Sequence, residues 1–129
     1  MRTRVIAATM LCVGVLGITA LAAFNGHRRS ALLQFTRPTM IAGAIVSGFV
    51  VIEHDDAKMA NGQACTTVSY YDRKTHGPGK FIVDFMCTPR PTSVATKTDV
   101  KCERSANSWP DRLIEYQIAG ESEAHGVPQ

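Results

Sequence analysis

The sequence predicts an all-β protein: a small antiparallel meander, folded as a sandwich or a partly closed barrel, preceded by a hydrophobic N-terminal signal or anchor helix. Several segments alternate apolar and polar residues with a period of two, which is typical of strands with one buried face. Turn residues separate these segments, and no long amphipathic helical pattern lies between them. With 129 residues, the chain has the size of one domain.

The first element is a hydrophobic segment at the amino terminus. Two arginines precede residues 5–24, which carry no charge, and Ala20 and Ala22 give the small-x-small form that signal peptidase accepts, with cleavage before Ala23. This pattern predicts a signal peptide over residues 1–22 and an exported protein, periplasmic or secreted. Since about twenty apolar residues also suffice to span a bilayer, an uncleaved membrane anchor formed by the same apolar run is the alternative.

The next segment, residues 23–44, is predicted to connect the signal to the folded domain. An apolar, β-branched run at residues 49–52 then predicts a buried strand. The charged residues 53–56 end this strand, and we interpret them as a solvated strand end. Asn61 and Gly62 form a turn signal in the loop that follows.

The clearest hairpin in the sequence joins residues 65–71 to residues 80–88. Residues 72–79 between them are polar and contain two glycines and a proline, which favour a turn. In the second strand, residues 81, 83, 85 and 87 are predicted to share one face. The spacing therefore predicts two paired antiparallel strands with one buried side.

Two further strands are predicted near the carboxyl terminus. Residues 97–103 and residues 112–119 both alternate apolar with polar side chains. The β domain is therefore expected to cover residues 45–119. The polar residues 120–129 are predicted to form a flexible tail.

The hairpin predicts a disulfide bond between Cys65 and Cys87. If Tyr71 opposes Phe81, an unbroken ladder places Cys65 directly opposite Cys87. Opposed side chains share a face, with Cβ atoms about 4.5–5.5 Å apart, and a disulfide bond needs only slight closure from there. Export also implies the oxidising conditions in which such bonds persist.

The other two cysteines, Cys12 and Cys102, are not expected to form a disulfide bond. Cys12 lies in the predicted signal, and its removal would leave Cys102 without a partner. Cys102 is therefore the candidate free thiol, and the alternation of its strand predicts that it points inward, buried and unreactive. Spacing alone leaves the other pairings among Cys65, Cys87 and Cys102 open.

A metal centre is the alternative use of these residues. Three cysteines with His54, His76 and His125 contain donors for zinc or copper, but no two show the close spacing that makes a zinc site predictable. In the charged segment after the strand, only His54 and Asp56 could point to the same side, because neighbouring strand residues alternate faces. The sequence therefore predicts no metal and no cofactor, with His54 and Asp56 as the candidates if one binds.

Charge and motifs limit the function. The formal net charge is +3, but nine basic and eleven acidic residues follow Pro38, so the domain lacks the basic surface that nucleic-acid binding needs. The chain contains no sequence motif of nucleophilic, metal-dependent or thiol-redox catalysis. These observations predict an exported non-catalytic binding or structural module, with an unknown protein or small-molecule partner and no nucleic acid.

Two alternative functions remain open at this point. One is a metal-binding or thiol-redox protein that uses Cys65, Cys87 and Cys102 with a histidine. The other is a membrane-anchored accessory subunit, in which uncleaved residues 5–24 hold the domain at a membrane. Contact with a membrane is expected only in that case.

Overall fold

The structure is a computed structural model that describes residues 28–106 and 110–129. Its elements are β1 (Arg28–Ile41), β2 (Ala44–Asp55), α1 (Asp56–Ala60), β3 (Thr66–Asp72), β4 (Gly77–Phe85), β5 (Thr88–Pro91), β6 (Asp99–Glu103), β7 (Asp111–Gln117) and β8 (Glu123–Gly126). The predicted all-β class is confirmed. Within the described ranges, no helix is both long enough and apolar enough to cross a membrane.

The predicted signal or anchor helix lies outside the described residues. The same holds for Cys12 and for the cleavage region at Ala20, Ala22 and Ala23. Export and anchoring therefore stay predictions.

The strands form one mixed sheet in the order β4-β3-β2-β1-β7-β8-β5, and β6 pairs with β7. Strands β1 to β4 form an antiparallel meander, as predicted. The sheet is not wholly antiparallel, because β1 and β7 pair in parallel through Thr39–Asp111 and Met40–Arg112. A parallel pair needs a long connection, and here strands β2 to β6 provide it.

The predicted connector is wrong for residues 28–41, which form β1 and pair with β2 along most of their length. The hairpin turn between the two strands consists of Ala42 and Gly43, with φ of 48° and 89°. Positive φ at both central residues is the requirement of a type I′ turn. Alanine is not a usual residue for the first position, so the sequence contains no clear sign of this hairpin.

A bulge near Pro38 bends β1 toward β7. The β1–β2 register shifts between Phe35 and Thr39, and proline has no N–H to donate to a neighbouring strand. Within the bulge, the guanidinium Nε of Arg37 lies 3.1 Å from a carboxylate oxygen of the buried Asp111. The bend thus brings the end of β1 beside β7.

The β3–β4 hairpin forms, but its register differs from the prediction. Val68 opposes Val83 whereas Ser69 opposes Phe81, so a bulge leaves Ile82 without a direct partner. An inserted residue reverses the side to which the following residues point. Phe81 is accordingly 57% exposed although Phe85 is buried, and the predicted common face of these two residues is wrong.

The carboxyl terminus is part of the sheet, so the predicted tail is wrong for residues 123–126. These residues form β8, which pairs with β5 and with β7. Ala124, His125 and Val127 are buried. Pairing on both sides provides hydrogen-bond partners for the backbone N–H and C=O groups of this segment, whose polar sequence alone does not suggest a strand.

Apolar side chains from five strands and from the segments after β7 and β8 form the core: Phe35, Ile41, Val46, Val50, Ile52, Val68, Phe85, Leu113, Tyr116, Ile118 and Val127. The hydroxyl groups of Thr66 on β3 and Tyr116 on β7 form a buried hydrogen bond. These two strands are not neighbours in the sheet. The sheet therefore curls, and the junction of β2 and β3 lies against β7 and β8.

Candidate metal-binding site

The site begins where β2 ends and α1 starts. The side chain of Asp55 accepts hydrogen bonds from the backbone N–H groups of Ala57, at 3.0 Å, and Lys58, at 3.2 Å. Asp55 is thus the N-cap of the helix. His54, the residue before this cap, is buried, and Met59 lies in the helix that the cap begins.

Two histidine rings from distant parts of the chain stack on each other. His54 on β2 and His125 on β8 have ring centroids 3.9 Å apart and an interplanar angle of 27°. Each residue is 1% exposed, so the predicted solvated strand end is wrong for His54. The ring of the buried Tyr116 lies 5.0 Å from that of His125 and covers this end of the pair.

The position of the ring proton of His54 follows from the carboxylate beside its Nδ1. Its Nδ1 lies 3.2 Å from a carboxylate oxygen of Asp56. Burial, followed by the neighbouring His125, lowers the pKa of His54, so the ring is neutral at neutral pH. A carboxylate accepts and does not donate, which places the single ring proton on Nδ1. Nε2 of His54 then carries a lone pair.

That lone pair has no hydrogen-bond partner among the described residues, although the atom is fully buried. Leaving a buried polar atom unsatisfied costs about 1–3 kcal/mol. Such atoms in folded proteins call for an explanation, and an unobserved ion is one of the usual ones. A buried, neutral imidazole nitrogen with a free lone pair is also the form in which histidine binds metals.

His125 is oriented in the same way by another carboxylate. Its Nε2 lies 2.6 Å from a carboxylate oxygen of Glu121, so in the neutral ring Nε2 carries the proton. Its Nδ1 lies 3.7 Å from the sulfur of Cys87 and 3.8 Å from a carboxylate oxygen of Glu123. Each histidine thus has one ring nitrogen next to a carboxylate oxygen, and such carboxylate partners fix the tautomer of metal-binding histidines.

The sulfur atoms of Cys65 and Cys87 lie at disulfide-bonding distance, as predicted, with Cα atoms 6.3 Å apart. Both residues lie just beyond the paired parts of β3 and β4, rather than within a ladder. The Cys87 N–H also points to the Cys65 sulfur at 3.0 Å. The sulfur of Cys87 lies 4.0 Å from that of Met59.

Other residues singled out from the sequence lie elsewhere. Cys102 is exposed on β6 and bonds to no other cysteine of the described ranges, so its predicted burial is wrong. A register shift between Lys101 and Cys102 changes the face of this position. His76 lies exposed in the turn before β4, where its ring contacts the Tyr71 hydroxyl at 3.3 Å.

Three donor groups converge in the site. One ring nitrogen of His54, one of His125 and the sulfur of Cys87 all lie within 4.8 Å of one another. All three residues were among the possible metal donors of the sequence, but the sequence could not show that they meet, because they come from separate segments. Asp56 supports His54 from the side of Nδ1, away from the free lone pair.

An open cleft is lined by the carboxylates that lie next to the two histidine rings, although neither histidine lines it. It has a volume of about 370 Å³ and is lined by Arg29, Asp56, Met59, Gly120, Glu121, Ser122 and Glu123. Three of these side chains are carboxylates and one is a guanidinium, whose Nε lies 3.8 Å from Glu121. A cleft with this excess of negative charge attracts cations.

Comparisons of the chain with protein-family models, with curated proteins and with solved structures find no match. The functional proposal therefore depends on the chemistry of the two histidines and the groups around them.

Proposed function

We propose that this protein is an exported, non-catalytic binding domain whose ligand is a single transition-metal ion held by His54 and His125. The observation that carries the proposal is the buried Nε2 of His54, which has a free lone pair and no partner among the described residues. A metal ion next to His125 would satisfy it.

The surroundings favour a divalent ion of borderline character. Two imidazole ligands suit zinc and copper, and carboxylates complete many zinc sites. Glu123 lies 3.8 Å from Nδ1 of His125 and is close enough to supply an oxygen ligand after a small shift. Water from the cleft would fill the fourth position. These four ligands do not include Cys87, so the site can bind metal while the disulfide bond between Cys65 and Cys87 is intact.

The position of the site agrees with a binding role. The sheet curls until β8 lies against the end of β2, which favours the partly closed barrel over the sandwich. The histidines lie at this junction, and the carboxylates next to their rings line a cleft that opens to solvent. Export rests on the hydrophobic segment at residues 5–24, and in an oxidising compartment the Cys65–Cys87 bond would persist.

A purely structural role of the stacked rings is the competing explanation. In that case the pair only joins β2 to β8, and its removal changes stability without affecting any ligand. Metal titration separates the two roles, because only the binding role predicts saturable uptake of one ion.

The test is calorimetric titration of the full chain, with its disulfide intact, with Zn²⁺ and separately with Cu²⁺. We expect one equivalent of metal to bind, and replacement of either ligand by His54→Asn or His125→Asn to weaken binding at least about 100-fold. His76→Asn is the matched control, since His76 is exposed in a turn, and it should bind as the unmodified protein does.

Circular dichroism of each variant would show that the sheet is retained. The proposal is wrong if the unmodified protein binds neither ion. It is equally wrong if both asparagine variants keep full affinity, because the bound metal would then lie elsewhere.

A further inference from the structure

We propose that the Cys65–Cys87 disulfide controls the ligand set of this site: reduction releases Cys87 as a thiolate ligand and converts a histidine site into a Cys–His–His site that takes up copper. The inference rests on the proposed function, since it needs His54 and His125 to bind metal. It adds a redox state on which the identity of the bound ion depends.

Cys87 is shared between the bond and the site. Its sulfur is bonded to Cys65 on one side and lies 3.7 Å from Nδ1 of His125 on the other. Two donors about 2.0–2.3 Å from a tetrahedral ion are separated by about 3.6 Å. The sulfur and the nitrogen therefore already have the separation that joint coordination requires. While the disulfide is intact, the sulfur has no thiolate charge to offer.

Cys65 is not placed to act in the same way. It is 3% exposed, and its sulfur lies 3.0 Å from the Cys87 backbone nitrogen and 3.9 Å from the Phe85 carbonyl oxygen. The three donor groups that lie within 4.8 Å of one another belong to His54, His125 and Cys87, and Cys65 is not among them. Reduction is thus expected to give a Cys87 thiolate that can bind the metal and a buried Cys65 thiol that stays hydrogen-bonded to the backbone.

The reduced donor set is softer than the oxidised one. A thiolate replaces a carboxylate or water, and the thioether sulfur of Met59 lies 4.0 Å from the Cys87 sulfur. Thiolate and thioether ligands select copper, and two histidines with one cysteine and a distant methionine form a recognised copper geometry. Met59 comes from α1, whose cap orders it beside the site. The chemistry points to Cu(I) as the ion of the reduced state.

The redox step is a two-electron thiol–disulfide exchange with a dithiol reductant. A thiolate of the reductant attacks the Cys65–Cys87 bond, the mixed disulfide is resolved by its second thiol, and the reductant leaves as a disulfide. Two cysteine thiols result. When copper binds, the Cys87 thiol releases its proton to solvent.

The experiment uses the full chain with Cys102→Ser, which removes an exposed thiol outside the site. Four samples are compared under anaerobic conditions: the oxidised protein, the protein reduced with dithiothreitol that is then removed, and the further variants Cys65→Ser and Cys87→Ser. The last two lose the disulfide equally, but only Cys65→Ser keeps the Cys87 thiol. Cu(I) affinity is measured by competition with a colorimetric chelator.

We expect the reduced protein and the Cys65→Ser variant to bind one Cu(I) at least about 100-fold more tightly than the oxidised protein and the Cys87→Ser variant. Met59→Leu should weaken binding a few-fold in the reduced protein. Titration of the reduced protein with Co²⁺ gives a second readout, because only a thiolate ligand produces a sulfur-to-cobalt charge-transfer band. This readout remains decisive if either serine variant fails to fold.

Equal Cu(I) affinity of the oxidised and reduced proteins would overturn the inference, as would Co²⁺ bound without a charge-transfer band. In either case, Zn²⁺ binding by the oxidised protein that depends on His54 and His125 would leave the proposed function intact. If neither redox form binds zinc, copper or cobalt, both proposals fail together.

Discussion

Reduction of the Cys65–Cys87 bond is expected to lower the free energy of unfolding by about 3 kcal/mol. The bond joins residues separated by 22 positions, and the chain-entropy relation for a loop of this length gives about 3 kcal/mol at 25 °C. For a domain near 100 residues, this loss corresponds to a fall in melting temperature of roughly 12–24 °C. The domain is small, so the loss is a large part of its total stability.

The assay is urea unfolding followed by far-ultraviolet circular dichroism, with oxidised and reduced protein compared in the Cys102→Ser background. The slope of the unfolding free energy against urea concentration should stay nearly constant, while the urea concentration at the unfolding midpoint falls. Cu(I) supplied at about 100 times its dissociation constant should raise the unfolding free energy of the reduced protein by roughly 2.7 kcal/mol. A midpoint that does not move on reduction would refute the reasoning, because Cys65 and Cys87 would then not be bonded in the folded protein.

Three further outcomes are expected. His54→Leu should abolish Zn²⁺ binding in calorimetry yet change the unfolding free energy by less than about 2 kcal/mol, because it also removes a buried atom without a partner; a much larger loss would indicate a structural role. Arg37→Ala should cost about 1 kcal/mol in urea unfolding, because it leaves the buried Asp111 without its guanidinium partner, and an unchanged midpoint would contradict this. Ala42→Asn should raise stability by about 1 kcal/mol, because asparagine tolerates the positive φ of this turn better than alanine; thermal unfolding would show a lower melting temperature if the turn were of another type.

The pairing of Cys65 with Cys87 was predictable because it depends on a short-range feature. A hairpin brings its two strand ends together whatever happens in the middle. The bulge at Ile82 changed the pairs near the turn, but near the cysteines the ladder differs from the predicted one by a single position. The side chains still meet, since both residues have left the regular strands.

Strand β1 was missed because its sequence carries no strong strand pattern. Its first residues are exposed and polar, and its turn has alanine where asparagine or aspartate is usual. Its backbone is ordered by hydrogen bonds to β2, which no local pattern reveals. The same reason applies to β8, where residues 123–126 find partners in β5 and β7.

The proposed metal-binding site was the feature that the sequence predicted least well. Metal sites are predictable from spacing when their ligands share one turn or one hairpin. Here His54 lies at the end of β2, Cys87 follows β4, and His125 lies in a segment that was expected to be a tail. The one available sign was a histidine at the end of an apolar strand, followed by Asp56, which fits a buried ring held by a carboxylate.

The sequence by itself determined the all-β class and the β3–β4 hairpin and favoured the pairing of Cys65 with Cys87, because alternation and turn residues act over a few positions. Only the tertiary structure decided which strands are neighbours and which side chains meet. The curl of the sheet at the Pro38 bulge and the docking of β8 bury His54 against His125. These contacts depend on packing between distant segments, and for that reason no local pattern encodes them.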